Sequence, residues 1–97
     1  MPIYLQLLRY TQTGIENIKQ SPAGQEAARQ LARSLGAEIK AAYLTMGRYD
    51  SAVILEAPND EIVAKFALAV GSRGAVSTET LRAFPEDDYR KIISELP

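Results

Sequence analysis

Gly47-Arg48-Tyr49-Asp50 joins two strand-like runs, Ala37 to Met46 and Ser51 to Ala57, and so places two consecutive strands in mid-chain. Glycine suits a positive-φ position in a tight turn, and an aspartate beside it can accept backbone N–H bonds, so the stretch reads as a hairpin connection. In the first run Ile39, Ala41 and Tyr43 alternate with Ala42, Leu44 and Met46; the second contains the apolar core Ala52-Val53-Ile54-Leu55.

Each side of the hairpin repeats the same grammar: a helical pattern, then one more strand. Upstream, Pro2 to Tyr10 sets Ile3, Leu5 and Leu7 against Tyr4, Leu8 and Tyr10, with both faces largely apolar. Thr11 to Gly14 reads as a turn. Thr13 with Glu16 forms a capping-box pattern, which predicts a short helical turn burying Ile15 and Ile18. Ser21-Pro22 then restarts a helix, with serine as the cap and proline pushing it out of helical geometry, so a break falls near Gln20. Ala28, Leu31, Ala32 and Leu35 recur at helical spacing and Gly36 fits the end.

Downstream, Pro58-Asn59-Asp60-Glu61 opens a helix with its acidic groups on the favourable end of the dipole. Ile62, Val63, Phe66, Ala67 and Val70 form its apolar stripe, and Gly71 closes it. Ala75 to Phe84 is the fourth strand. Pro85-Glu86-Asp87-Asp88 starts a last helix with Tyr89, Ile92, Ile93 and Leu96 on one side.

The order β-α-β-β-α-β plus a C-terminal helix, with short connections, selects a ferredoxin-like split β-α-β sandwich of the α+β class. Residues 1–97 are expected to form a single domain, with both long helices on one face of a four-stranded antiparallel sheet. The other face is apolar too, and a large apolar patch is not left in water. The simplest cover is a second copy related by a two-fold axis, so a homodimer through the sheet faces is expected.

Composition removes whole classes of chemistry. The 97 residues contain no cysteine and no histidine. Disulfides, thiol nucleophiles, Cys/His metal sites and imidazole catalysis are therefore absent, as is haem held by a proximal histidine. A formal net charge of −1 and scattered basic residues give no footprint for nucleic acid. The first residues lack the basic and long apolar regions of a signal peptide, and no run approaches membrane-span length, so a cytoplasmic protein is the expectation.

Glu56-Ala57-Pro58-Asn59-Asp60, Phe66-Ala67-Leu68, Gly71-Ser72-Arg73-Gly74 and Thr78-Glu79-Thr80-Leu81-Arg82-Ala83-Phe84, together with the hairpin, resemble the GYD domain family over nearly the whole chain. The resemblance implies a ferredoxin-like, dimeric α+β barrel. It marks Gly47, Tyr49 and Asp50 as the family signature, with Arg48 inserted in the triplet, and brings no catalytic residue with it.

The residues nominate one candidate binding region and no catalytic or metal site. Tyr49 and Asp50 at the hairpin are expected to meet Thr78, Thr80 and Arg82, which share a face of the last strand with Val76 and Phe84. A guanidinium on a covered face needs a partner; Asp50, Glu79 of the other subunit and an anionic ligand are the candidates for Arg82. Asp50 reads first as the hydrogen-bond anchor of its own turn, and only second as a ligand anchor or base. Arg9 and Gln6 fall on opposite faces of the first strand. Arg73 between glycines lacks the strand-loop-helix setting of a phosphate loop. The expected role is a homodimeric small-ligand-binding or regulatory module needing no cofactor. The alternatives are a cofactor-free monooxygenase- or isomerase-like enzyme using Asp50 or a tyrosine, and a purely structural or partner-binding dimer.

Overall fold

A computed structural model describes residues 1–97. Its elements are β1 (Ile3–Tyr10), α1 (Gln12–Glu16), a 3₁₀ turn (Ile18–Gln20), α2 (Ser21–Ser34), β2 (Glu38–Leu44), β3 (Ser51–Glu56), α3 (Asp60–Ser72), β4 (Val76–Ala83) and α4 (Glu86–Ser94). The four strands form one sheet in the order β2-β3-β1-β4, every neighbouring pair antiparallel, which is the split β-α-β arrangement expected from the sequence.

The register decides which residues share a face. Leu55 and Arg82 stand opposite Tyr4, and Val53 and Thr80 stand opposite Gln6. Tyr4, Val53, Leu55 and Ile39 are buried together with Ala32 of α2 and Val63, Phe66 and Val70 of α3, so this is the face the helices cover. Ile54 and Leu81 stand opposite Leu5, and Ala52 and Glu79 stand opposite Leu7; these rows make the other face.

The alternation read along the second strand breaks at Lys40. A bulge there shifts the pairing between Ile39 and Ala41, because the extra residue moves the following side chains to the opposite face. Ile39 therefore joins Ala42 on the covered side, while Ala41 and Tyr43 face out. Lys40 itself stands 3.5 Å from Glu56 and 3.9 Å from Glu38, so its charge is answered at the sheet edge.

Three helix-end readings are corrected. The cap of α1 is Thr11, whose hydroxyl accepts from the Gly14 N–H at 3.1 Å; Glu16 instead accepts from Gln12, and Ile15 is 52 % exposed. Ser21 is helical (φ −59°, ψ −34°), since the 3₁₀ turn feeds directly into α2 and proline occupies its first turn. The α3 terminus falls at Ser72 rather than Gly71, and Gly74 (φ +84°) makes the left-handed turn into β4. Asn59 caps α3 through a 3.0 Å bond from the Ile62 N–H, with Asp60 and Glu61 in its first turn.

Helix α4 buries none of its residues. Tyr89, Ile92, Ile93 and Leu96 are all exposed, Leu96 by 61 %. The molecule is correspondingly drawn out to 51 × 31 × 18 Å.

Candidate functional site

The hairpin is bonded to its neighbours through Asp50. One carboxylate oxygen accepts the Tyr10 N–H at 2.9 Å, while its own N–H donates to the Leu8 carbonyl at 2.8 Å. The Asp50 carbonyl accepts from Thr45 N–H at 3.0 Å, and the Thr45 hydroxyl donates to the Tyr49 carbonyl at 2.7 Å. Gly47, at φ +107°, takes the left-handed position that lets the chain reverse. These bonds join the β2–β3 turn to β1 and fix Asp50 in place. Its second carboxylate oxygen makes no bond within the protein.

Tyr49 turns to the uncovered side of the sheet. Its hydroxyl donates to the Glu79 carboxylate, and the Arg9 guanidinium lies 5.0 Å from its ring centroid. Arg9 also donates to the Arg48 carbonyl at 2.9 Å. The hydrogen bond to Glu79 raises the Tyr49 pKa above the ordinary 10.0 by holding the phenolic proton, with burial and the nearby negative charge adding to it. A shallow depression of about 200 Å³ lies beside these groups, bordered also by Thr78.

Arg82 lies against aromatic faces. Its guanidinium carbon is 4.4 Å from the Phe84 ring centroid and 5.5 Å from that of Tyr4. It donates to the Ile3 carbonyl at 3.2 Å and to the Ala83 carbonyl. The anticipated carboxylate partners go elsewhere in the chain: Asp50 to Tyr10, and Glu79 to Tyr49. Thr80 accepts from the Gln6 amide at 3.3 Å.

Tyr4, beneath Arg82, donates to the Asp60 carboxylate at the start of α3. That bond is the first cause of its raised pKa, with burial next; Arg82 acts in the opposite direction. The folded state thus holds this proton more tightly than the unfolded chain does. The stabilisation is complete below the unfolded value near 10 and is lost as pH rises from there through the raised folded value. Urea unfolding of Tyr4→Phe should show a shallower loss of stability above about pH 10 than the parent. Equal slopes would remove Tyr4 as a source of that dependence.

A concavity of about 700 Å³ lies between the covered face of the sheet and the helices. Leu8, Val53, Phe66 and Val70 supply apolar wall, while Gln6, Tyr10, Asp50 and Arg73 supply polar groups. Of the five nominated binding residues, Asp50 lines this cleft, Tyr49 and Thr78 border the shallow depression, and Thr80 and Arg82 line neither. Gln6 is absent from that nominated set, although strand parity alone puts this amide on the face of Tyr4 and Leu8. No helix is long and apolar enough to cross a membrane.

The GYD domain family model matches residues 4–93. A Thermus thermophilus protein described as "Glutamine synthetase and cystathionine beta-lyase binding protein" is 35% identical over 89 residues, spanning 91% of this chain and 94% of that protein. The crystal structure of TTHA0845, also from Thermus thermophilus, is similar in fold, with a TM-score of 0.57 at 22% identity, covering 88% of this chain and 95% of that one.

Proposed function

The chain belongs to the GYD domain family, and from that premise we propose that it is a regulatory binding module that works as a homodimer and docks on another protein. The carrying observation is the uncovered sheet face. Leu5 and Ile54 form the middle of an apolar row between Ala41 and Leu81, on the face opposite the one that α2 and α3 cover. Water against such a row costs roughly 25 cal/mol for each Å² of apolar surface, and a second copy removes that surface symmetrically. Exposed Tyr89, Ile92 and Ile93 of α4, with Leu96 just after it, add apolar surface at the end of the same chain.

The Thermus thermophilus relative is named for binding glutamine synthetase and cystathionine beta-lyase, and a binding role for this chain is consistent with it. Tyr49, Asp50, Glu79, Thr80 and Arg82 each bond to a neighbouring strand or turn, and no nucleophile is paired with a base among them. Binding therefore accounts for more of the geometry than turnover does.

Sedimentation equilibrium at micromolar concentration should give twice the 10.6 kDa chain mass. Pull-down with the same organism's glutamine synthetase and cystathionine beta-lyase should retain at least one of them. A monomer that retains neither enzyme overturns the reading.

A further inference from the structure

The geometry points to the cleft between the sheet and the helices as a binding site for a small, elongated apolar molecule carrying a hydrogen-bond donor, a hydroxyl or an amine, at each end. This goes beyond protein docking, since it concerns the covered side of the sheet and the interior of one chain.

The cleft has the size of a ligand site. Its volume of about 700 Å³ falls within the roughly 300–1,000 Å³ range of small-molecule pockets, and more than half of its lining residues are hydrophobic. Phe66 and Val70 of α3 face Leu8 and Val53 of the sheet across it, which suits an apolar ligand body.

Gln6 gives the cleft its chemistry. It is the buried polar residue of an otherwise apolar core, at 1 % exposure. One hydrogen of its amide nitrogen goes to Thr80 at 3.3 Å, and its carbonyl oxygen accepts nothing from the protein. Gln6 is also one of the residues that line the cleft, so its amide is the polar group set into the apolar wall. An acceptor set among Val53 and Leu55 has few competing partners, so a ligand donor arriving there is favoured over an apolar group.

A second acceptor stands at the hairpin end. Asp50 is half-buried and lines the same cleft; one oxygen is held by Tyr10 and the other is free. Tyr10 lies four residues along β1 from Gln6, about 13 Å at roughly 3.3 Å per residue. The Gln6 carbonyl and the free Asp50 oxygen are both acceptors, which favours a ligand with a donor at each of those two points. Arg73, exposed on the lip, meets solvent and leaves room for an acceptor on the outer end of the ligand.

Two probes of one shape separate this reading from general greasiness. Para,para′-dihydroxybiphenyl carries a donor at each end, and para,para′-dimethoxybiphenyl carries none. Titration calorimetry on the full chain should show the dihydroxy compound binding at least about tenfold more tightly, the loss expected when two acceptors go unmatched. Gln6→Met, which keeps length and apolar bulk, should reduce that preference about fivefold and leave the dimethoxy affinity unchanged. Asp50→Asn turns a second donor toward the ligand and should weaken the dihydroxy compound alone, which tests the other end even where Gln6→Met fails to fold. Equal affinity for the two probes, or binding of neither by the folded chain, overturns the inference. Sedimentation of the same samples reads dimerisation separately.

Discussion

Leu5→Asp is expected to turn the protein into a folded monomer. Leu5 lies on β1, a central strand, between Ile54 and Leu81 on the uncovered face. In an isolated chain position 5 is half-buried, so the new carboxylate keeps part of its hydration and folding is disturbed less than association. In a two-fold dimer the change occurs twice at the centre of the interface, and each copy buries a charge with no partner. About 2 kcal/mol per copy, and about 4 in all, corresponds to roughly a thousandfold weaker association. Sedimentation and circular dichroism on one sample read both outcomes. A variant that stays dimeric would place the self-association surface elsewhere, and one that unfolds would show Leu5 to be core.

Gly14→Ala should be among the most damaging single changes in the molecule. A Cβ at this position would lie 2.0 Å from the Ala75 carbonyl oxygen and 3.0 Å from its carbon, both backbone atoms. Neither can swing aside as a side chain would. That carbonyl accepts the Thr11 N–H at 3.0 Å, and the Thr11 hydroxyl donates to the next carbonyl back, that of Gly74, while capping α1. Pushing Ala75 away therefore loosens the bond between the start of α1 and the start of β4, and with it one wall of the cleft. Forcing volume into so close a contact costs about 3 kcal/mol or more. Urea denaturation measures it directly; a loss below about 1 kcal/mol would mean that α1 shifts freely against β4.

The two variants probe different kinds of information. Leu5 announces itself through alternation, since its partners on the strand are apolar on both faces. Gly14 does not. In the sequence it follows Thr11-Gln12-Thr13 and reads as a turn glycine chosen for conformational freedom. It is instead buried in a short helix, away from the left-handed region that Gly36, Gly47 and Gly74 occupy. Its smallness matters because residue 75 passes against it, a contact between segments sixty-one positions apart that no local pattern encodes.

The candidate site divides in the same way. The polar excess of Thr78, Thr80 and Arg82 is visible in sequence, and so is the Tyr49-Asp50 pair. Their convergence is not, because neighbouring residues on a strand point to opposite faces. Tyr49 goes to Glu79 on the uncovered side, whereas Asp50 goes to Tyr10 and the cleft. Gln6 becomes interesting only once Thr80 is seen to occupy one end of its amide and leave the other free.

The sequence by itself determined the number, order and type of the main elements, the helix-forming stripes and the family. Those follow from period, capping and turn chemistry, which act over a few residues. Only the tertiary structure decided which face the helices cover, where the Lys40 bulge re-sorts β2, why residue 14 has no side chain and which polar groups meet. Each of these depends on strand register and on contacts between distant segments, and a shift of one residue would reverse the facing of every side chain involved.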